Sequence, residues 1–493
     1  MKKIAIIGAG MAGLSSAIRL AKAGYIIDVY ESNSYPGGKL HEFYQGAYRF
    51  DAGPSLFTLP NLVIELLALA GMDKEEDFPY LKLEKACTYF YEDGLELIAY
   101  SNPQKFAKEI ETKLGIDSKV VFNYLKNAQF KYESSAPLFI ESSLHKLGTY
   151  LSIKTIKGIL AMPRLNLFKT MNQQNLLSLK EKHLVQYFNR YATYNGSNPY
   201  EAPGILTMIP HLEHSIGSFF PKEGMYQITK SLVEAATKLG VHFHYKHPVD
   251  KVVYENNKVT GIFVNGRFEP YDAVVSNLDI YSTYKKLLPD FPAPENLLRQ
   301  EKSSSGIIFY WGIKKEFPKL HLHNIFFSEN YEAEFDSIFK KKELYADPTI
   351  YVNISSKLNP NDAPKGCENW FVMINVSPNT GQDWDDLIAQ SKRSIIKKLS
   401  RMLGEDIGAL IENESVLDPR KIEQNTGSFG GSLYGNASNN RYAAFLRHAN
   451  FSSKLKGMYF CGGSVHPGGG IPLCLNSGKI TSEIIVNDLK NRN

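Results

Sequence analysis

A glycine-rich turn lies between a predicted strand and a predicted helix at the start of the chain. Lys3–Ile7 is an apolar run of strand length, Gly8–Gly13 contains three glycines, and Leu14–Ala23 has the pattern of a helix. A second apolar run, Ile26–Glu31, completes a βαβ unit, and such units form parallel sheets that are covered on both faces. No other feature of the sequence constrains the fold as strongly, and it predicts an α/β domain.

The spacing of the three glycines indicates a dinucleotide-binding site. Gly8 permits a tight turn, Gly10 lets the backbone approach a pyrophosphate, and Gly13 lets the helix pack close to the strand. The helix N-terminus offers N–H groups and the positive end of its dipole to the phosphates. Glu31 ends the second strand, where an acid can accept hydrogen bonds from ribose hydroxyls. An ordinary glycine turn is the alternative, but it does not explain the order strand, turn, helix, strand and acid.

Further glycine loops occur near both ends of the chain. Pro36–Lys39 follows the βαβ unit, and its two glycines free the backbone to pass close to a ligand. The loop Gly462–Pro472 lies between a predicted strand, Met458–Cys461, and a predicted helix, Leu475–Leu489. No second glycine fingerprint of the first kind opens a later βαβ unit. We therefore expect one large cofactor, held where the two chain ends fold together.

Length and composition exclude several other classes of protein. The 493 residues exceed what one hydrophobic core usually spans, so two or three subdomains are expected. A net charge of +5 is too small to indicate nucleic-acid binding. The four cysteines form no CxxC pair, so we expect no metal site and a reduced, cytoplasmic chain. Glycines interrupt the apolar N-terminus, which argues against a signal peptide, and no run reaches the ~18 apolar residues of a spanning helix.

A set of short segments spread over the whole chain forms a recognisable pattern. The segments are Gly8–Gly13, Glu31, Gly37-Gly38-Lys39, Asp51-Ala52-Gly53-Pro54, Asn277-Leu278-Asp279 after the strand Ala273–Ser276, and Gly463–Gly468. In this order they resemble the phytoene-desaturase family of FAD-dependent carotenoid desaturases. Within that family, Gly431–Gly435 and Gly463–Pro467 are most similar to the hydroxycarotenoid 3,4-desaturases.

The resemblance implies FAD as the cofactor and also an architecture. It predicts an α/β fold, α+β overall, with a Rossmann-like FAD-binding domain built from both chain ends, here residues 1–72, 222–280 and 425–493. A substrate-binding domain with a mixed sheet is expected from residues 73–105 and 281–424. A helical, membrane-associating subdomain is expected from residues 106–221.

The resemblance also assigns roles to individual residues. It places Glu31 at the adenosine ribose, Val249 near the adenine, and Lys39 near the ribityl chain and flavin ring. Ser464 departs from the broader class of FAD oxidases, which often carry an acid there, so its hydroxyl or a backbone amide must bind the cofactor instead. The complete set of expected cofactor-binding residues is Gly8, Gly10, Met11, Ala12, Gly13, Glu31, Gly37, Gly38, Lys39, Gly53, Pro54, Ser55, Val249, Asp279, Gly463, Ser464, Gly470 and Ile471.

The expected reaction removes a hydride and a proton from adjacent carbons of a carotenoid. A flavin accepts the hydride and the polyene delocalises the positive charge, so the reaction needs no strong protein base. His466 is the candidate polar residue beside the flavin ring, in a proton-transfer role or a structural role bonded to the backbone. Asp51 likewise has either a catalytic role or a structural role, and the structural role is to cap the Gly53-Pro54 turn. Phe309-Tyr310-Trp311 either lines the polyene tunnel or forms an ordinary core strand.

A basic stretch from Lys146 to Lys182 is the candidate membrane contact. Its only acid is Glu181, and its basic residues are Lys146, Lys154, Lys157, Arg164, Lys169, Lys180 and Lys182. Its apolar residues are Ile153, Ile156 and Leu160 on one predicted helical face, followed by Leu165, Phe168 and Met171. Such a segment can lie in an anionic membrane surface, and a solvated basic face is the alternative. We therefore expect a peripheral protein on the cytoplasmic side of the cell membrane, with a long apolar carotenoid as substrate.

Several other functions are compatible with the sequence. A phytoene or diapophytoene desaturase and a carotene isomerase would use the same scaffold. An FAD-dependent amine oxidase would share the N-terminal motifs, and a nucleotide-binding regulator without enzymatic activity would share the glycine turn. Oxygen and a membrane quinone are both candidate electron acceptors.

Overall fold

The computed structural model describes residues 1–150, 158, 161–440, 442–443 and 447–490. Two main sheets, one parallel and one mixed, are combined with helices, which confirms the predicted α/β class.

The first main sheet has five parallel strands. In spatial order they are Met458–Phe460, Ala273–Ser276, Lys3–Ile7, Ile26–Glu31 and His242–Tyr245. The predicted βαβ unit therefore lies at the centre of this parallel sheet. The C-terminal strand forms one edge of it, which confirms that both chain ends build the same domain.

Different layers cover the two faces of the parallel sheet. On one face, helix Met11–Lys22 packs against helices Gln227–Lys238 and Ile471–Lys490. On the other face lies a three-stranded antiparallel sheet within residues 249–270, whose apolar side chains share a core with the parallel strands. The central strand 3–7 is therefore buried on both sides, as its apolar run predicted.

The second main sheet has seven strands and mixed orientation. In spatial order they are Ile411–Leu417, Ser305–Ile313, Glu368–Val376, Ile350–Asn353, His323–Phe326, Lys85–Phe90 and Glu96–Tyr100. Neighbouring strands are antiparallel except for His323–Phe326 and Lys85–Phe90, which are parallel. The last two strands form an antiparallel hairpin. The first strand has the sequence IENESVL, which lacks the apolar run that would predict a strand.

Most of the remaining chain is helical. The longer helices are Met11–Lys22, Asn61–Leu69, Pro103–Leu114, Ser118–Phe139, Met171–Leu179, Lys182–Asn189, Gln227–Lys238, Trp384–Leu403, Pro419–Thr426 and Ile471–Lys490. Two small antiparallel strand pairs lie outside the main sheets, Glu42–Gln45 with Tyr48–Asp51 and Tyr80–Lys82 with Phe219–Pro221. The expected domain boundaries stay a prediction.

The aromatic segment Phe309-Tyr310-Trp311 belongs to the core. Phe309 and Trp311 are fully buried among the apolar side chains on one face of the seven-stranded sheet. The Tyr310 hydroxyl donates a hydrogen bond to the carbonyl oxygen of Ala52 at 2.6 Å. None of the three lines the cavity described below, so the interpretation as a core strand is correct and the interpretation as a tunnel wall is wrong.

Within the described ranges, no helix combines the length and apolar character needed to cross a bilayer. The same residues contain no group of three or more His, Cys, Asp or Glu side chains arranged to hold a metal ion.

Candidate active site

A cavity of about 630 Å³ lies at the carboxyl ends of the parallel strands and reaches to the seven-stranded sheet. Gly8, Glu31, Asn277 and Gly462, each at or just beyond the end of a parallel strand, line one part of it. Ligands of open α/β sheets bind in this position. Apolar residues of the other sheet, such as Phe371, line the opposite part.

Every expected cofactor residue except Gly13 lines this cavity. The lining includes Gly8, Gly10, Met11, Ala12, Glu31, Gly37, Gly38, Lys39, Gly53, Pro54, Ser55, Val249, Asp279, Gly463, Ser464, Gly470 and Ile471. Sequence reasoning missed neighbours such as Asn33, His247, Ser428 and Tyr434. The Gly431–Gly435 segment, quoted only for the resemblance, was the available signal for Tyr434.

The N-terminus of helix Met11–Lys22 opens toward the cavity. Gly10 is its N-cap residue, and no side chain in the described structure caps this helix. Gly8 has a φ of +96°, in the region that favours glycine. A Cβ atom on Gly13 would lie 2.2 Å from the carbonyl oxygen of Gly8, so Gly13 serves the close packing of helix on strand. The turn therefore presents backbone N–H groups, as binding of a pyrophosphate requires.

The Glu31 carboxylate is held beside this turn. Its Oε2 accepts a hydrogen bond from the backbone N–H of Ala9 at 2.9 Å. Its Oε1 accepts from the backbone N–H of Asn33 at 2.9 Å and from the Asn33 side-chain amide at 3.0 Å. Carboxylate oxygens have several lone pairs, so Glu31 can also accept hydrogen bonds from ribose hydroxyls.

Three loops meet around Lys39 in the middle of the cavity. The Lys39 ammonium group donates hydrogen bonds to the carbonyl oxygens of Ser432 and Leu433, each at 2.8 Å. Burial lowers the pKa of Lys39 to about 8. A Cβ atom on Gly53 would lie 1.8 Å from the carbonyl oxygen of Lys39, so only glycine fits there. Segments from the two ends of the chain are thereby joined at the expected position of the flavin.

The C-terminal glycine loop forms the facing wall. Ser464 Oγ accepts a hydrogen bond from the backbone N–H of Ile280 at 2.8 Å and keeps its hydroxyl proton for donation. A Cβ atom on Gly435 would lie 2.6 Å from the Cα atom of Ser464. Asp279 lines the cavity next to Ile280, and burial raises the pKa of its carboxyl group above the usual value. The serine that replaces an acid thus anchors its loop to the segment after the strand 273–276.

His466 is buried behind the cavity and is not among the residues that line it. Its Nε2–H donates a hydrogen bond to the carbonyl oxygen of Ser142 at 2.8 Å, and its ring packs edge-on against His145. Burial lowers the pKa of His466 to about 4, so the ring is neutral at physiological pH. These contacts agree with the structural role considered from the sequence, in which His466 is hydrogen-bonded to the backbone.

Asp51 has a different partner from the one expected. Its carboxylate forms an ion pair with Arg49 at 2.8 Å. It also accepts hydrogen bonds from the backbone N–H groups of Met225 and Tyr226, at 2.8 and 2.9 Å. Asp51 therefore ties its strand to the segment before helix Gln227–Lys238 rather than capping the Gly53-Pro54 turn.

The far end of the cavity is polar. Its polar lining consists of Arg190 and Tyr194 from the short helix Arg190–Asn195, together with Ser55, Glu213, His323 and Tyr351 from other parts of the chain. Only Ser55 was expected to line a site. Arg190 and Tyr194 are four residues apart, but Glu213, His323 and Tyr351 are distant from them and from one another in sequence, so no local pattern could identify the whole group.

The nucleotide end of the cavity fits FAD. A helix N-terminus without a side-chain cap offers donors to phosphates, and Glu31 offers acceptors to a ribose. A Cβ atom on Gly10 would lie 2.7 Å from Nδ2 of Asn277, which also lines the cavity, so glycine keeps this part of the turn open. Val249 and the loops around Lys39 and Ser464 extend this binding surface along one continuous cavity.

Comparison with known proteins agrees with this assignment. Residues 11–486 match the family described as flavin-containing amine oxidoreductase. The chain is 52% identical over 487 residues to a 1-hydroxycarotenoid 3,4-desaturase from Flavobacterium sp. (strain P99-3), covering 99% of each chain. It is 31% identical over 520 residues to a phytoene desaturase from Fusarium fujikuroi, covering 99% of this chain and 90% of the relative.

Solved structures share the fold. An oxidoreductase from Methanosarcina mazei has a TM-score of 0.65 at 15% identity, with 98% of this chain and all of the other covered. The cavity at the ends of the parallel strands, the glycine turn and the full-length similarity agree with one another. The chain therefore belongs to the flavin-containing amine oxidoreductases, and within them to the FAD-dependent carotenoid desaturases.

Proposed function

We propose that this protein introduces a C=C bond into a carotenoid, and that its reaction is the 3,4-desaturation of a 1-hydroxycarotenoid. The observation that carries the proposal is the 52% identity over nearly the whole length to a relative with that named activity. Two C–H bonds on adjacent carbons break; one hydrogen leaves as hydride with its electron pair and the other as a proton. FAD, when bound, supplies the hydride acceptor.

The chain's own contribution is to position the substrate and exclude water. Lys39, the Gly53-Pro54 turn and Ser464 surround the middle of the cavity, and the apolar side chains of Phe371 and Met373 line the part that leads away from it. A polyene held in an apolar cavity delocalises positive charge itself, so orientation matters more than a strong base. His466 supports this wall through its hydrogen bond to Ser142 rather than by contact with substrate.

The function is tested by expression in cells that accumulate defined carotenoids. A hydroxylated acyclic carotenoid should be converted to a product whose absorption is shifted to the red, because the conjugated system is longer. A phytoene or diapophytoene desaturase would act on the non-hydroxylated precursor, and an isomerase would leave the number of double bonds unchanged. Anaerobic bleaching of the flavin by amines, with none by carotenoids, would refute the proposal in favour of an amine oxidase. A purified protein without yellow cofactor would favour a regulator.

The electron acceptor is tested with the same preparation. Reduced enzyme is mixed with oxygen or with a short-chain quinone, and the return of the oxidised absorption is timed. Oxygen and a membrane quinone are the two electron acceptors proposed. The acceptor that reoxidises the flavin faster at its physiological concentration is assigned as the electron acceptor.

We also propose that the protein binds the cytoplasmic side of the membrane through the region around Phe168, within the expected subdomain 106–221. Phe168 is 87% exposed, and four other large apolar residues of the region are also exposed, namely Tyr150, Met162, Leu176 and Leu177. Basic residues at the exposed surface accompany them, namely Arg164, Lys169, Lys180 and Lys182. Exposed apolar side chains among basic ones favour an anionic interface.

Part of the basic stretch differs from the expected amphipathic face. Leu165 and Met171 are fully buried, so they add no apolar surface to the exposed region around Phe168. Ile153, Lys154, Ile156, Lys157 and Leu160 lie outside the described residues.

The membrane proposal is tested by co-sedimentation with anionic liposomes. Leu176→Ser with Leu177→Ser should reduce binding, and so should reversal of Lys154, Lys157 and Arg164 to Glu, since each basic residue near the surface contributes about 1 kcal/mol. Salt should weaken the wild-type interaction. Tyr44→Ser, at a residue 69% exposed on a different element, is the matched control. Equal binding of all variants would place the contact elsewhere.

A further inference from the structure

The polar end of the cavity is unusual for a site that takes a hydrocarbon chain. Arg190 and Glu213 form a buried ion pair there, with 3.5 Å between a guanidinium nitrogen and a carboxylate oxygen. The Tyr194 hydroxyl lies between them, accepting a hydrogen bond from Arg190 at 3.2 Å and donating one to Glu213. Buried charges cost free energy even when they are paired, so an apolar ligand alone gives no reason for this arrangement.

The ion pair is neutral as a whole. Burial opposes ionisation of Glu213, but Arg190 and the surrounding hydrogen bonds hold the pKa of its carboxyl group below the usual value. The Arg190 guanidinium also lies over the rings of Tyr89 and Tyr191, at 5.2 and 4.7 Å from their centroids. The Nε of Arg190 is buried and has no hydrogen-bond partner in the described structure.

His323 adds a donor on the strand 323–326. Its Nδ1 lies 3.1 Å from the side-chain nitrogen of Asn353 and 2.7 Å from the hydroxyl of Tyr351. The Asn353 NH₂ group can only donate, so Nδ1 accepts and the proton of the neutral ring lies on Nε2. Burial lowers the pKa of His323 to about 4, which keeps the ring neutral. Nε2 is buried without a partner among the described residues, while His323 is 2% exposed and lines the cavity.

This pocket suits a neutral group that both donates and accepts hydrogen bonds. An ammonium ion would meet the Nε2–H of His323 and the guanidinium of Arg190, which are both donors. A carboxylate would leave a net negative charge beside Glu213 in a buried site. A hydroxyl group can accept from His323 or Arg190 and donate to Tyr194 or Glu213, so it satisfies the pocket without adding charge.

The pocket is connected to the loop expected beside the flavin. The Tyr351 hydroxyl that contacts His323 also lies 2.6 Å from the Ser55 hydroxyl. Ser55 directly follows the Gly53-Pro54 turn, which packs on the backbone of Lys39. A group bound in the pocket is therefore held at a set position relative to the centre of the cavity.

We propose that Arg190, Tyr194, Glu213 and His323 bind the terminal hydroxyl group of the carotenoid and so select a hydroxylated substrate. This inference rests on the proposed function. The proposal explains why a site for a long apolar chain contains hydrogen-bond donors without protein partners, because the substrate hydroxyl accepts from them. A carotenoid without the hydroxyl would leave those donors buried and unsatisfied, and sites built for a hydroxyl reject such analogues strongly.

The test uses the FAD-containing enzyme with two acyclic carotenoids that differ only in the terminal hydroxyl. The rate of flavin reduction in a single anaerobic turnover, and kcat/KM in steady state, are measured for each. His323→Asn keeps an acceptor near the position of Nδ1 but removes the donor at Nε2. We expect it to reduce the preference for the hydroxylated substrate by about tenfold or more. His323→Gln, which restores a donor near the position of Nε2, should recover most of that preference.

His321→Asn is the matched control. His321 contacts Lys85 and Thr88 and does not line the cavity, so its replacement should leave the preference unchanged. An unchanged preference in His323→Asn with normal FAD content would overturn the inference. Equal rates of the wild-type enzyme on both carotenoids would also overturn it, while leaving the desaturase function intact. A wild-type enzyme that oxidises neither carotenoid would instead contradict the proposed function.

Discussion

Replacement of Gly10 by alanine should abolish FAD binding without unfolding the protein. The backbone at Gly10 has φ of −75° and ψ of 175°, which alanine adopts without strain. The new Cβ atom would lie 2.7 Å from Nδ2 of Asn277, the end of a flexible side chain that can turn away. The cost to folding is then one hydrogen bond, the 3.3 Å contact from Asn277 to the Gly8 carbonyl, or about 1 kcal/mol.

The cost to FAD binding is larger, because the methyl group projects where a pyrophosphate must approach the backbone. Each hydrogen bond to a charged group contributes about 1.5–3 kcal/mol. Loss of two such bonds amounts to about 3–6 kcal/mol, which corresponds to a dissociation constant raised by about a hundredfold to ten-thousandfold.

The assay compares FAD content and thermal unfolding of purified variants. Gly10→Ala should be colourless and should unfold like wild-type protein from which FAD has been removed. Gly13→Ala should instead fail to fold, since its Cβ atom would lie 2.2 Å from a backbone oxygen that cannot move aside. Gly408→Ala, in the helix Ile407–Leu410 outside the cavity, is the matched control and should stay yellow. A yellow Gly10→Ala variant with wild-type affinity for FAD would refute the reasoning.

Three further predictions test other parts of the site. Glu31→Ala should weaken FAD binding about tenfold or more in calorimetric titration of the apoprotein, and unchanged affinity would remove Glu31 from the ribose site. His466→Asn should keep FAD, and its rate of flavin reduction in an anaerobic single turnover should fall about tenfold or less. General acid–base catalysis contributes about 10²–10⁴-fold to a rate. A loss beyond about a thousandfold with intact FAD would therefore make His466 a proton acceptor. Burial lowers the pKa of His448 to about 4, whereas the pKa of an unfolded histidine is about 6.5. Below about pH 6.5 the unfolded chain therefore binds more protons than the folded protein, and the free energy of unfolding decreases as the pH falls. The decrease from this residue is at most about 2 kcal/mol at about pH 5. His448→Asn should reduce the pH dependence of the melting temperature, and His242→Asn, with a side chain 68% exposed, should not.

The nucleotide end of the cavity could be predicted because its signals are local. A strand, a turn with glycines at set positions and a helix follow one another within the first residues, and the geometry of that unit hardly depends on the rest of the chain. The same holds for the glycine loop before helix Ile471–Lys490. Resemblance to a family then extended these local signals to Val249 and Asp279, which both line the cavity.

The position of His466 could not be read from its sequence context. Its neighbours Val465 and Pro467 indicate a fixed turn, but they do not say which way the ring points. The ring direction depends on Ser142, which belongs to a different part of the chain and accepts its hydrogen bond. Similarly, the packing of apolar side chains places the three-stranded sheet on one face of the parallel sheet, and no local signal gives that position.

The sequence by itself determined the fold class and the cofactor, since both follow from short segments whose backbone geometry is set by glycine and by periodic apolar residues. Only the tertiary structure decided which polar side chains meet at the far end of the cavity. Arg190, Glu213 and His323 carry no common motif, and each alone has the appearance of an ordinary polar residue. Packing of the helical segment against the seven-stranded sheet brings them to one cavity and buries them, and among the described residues the His323 Nε2–H has no partner. Burial and hydrogen-bond satisfaction are properties of the folded chain, so no pattern along the sequence can reveal them.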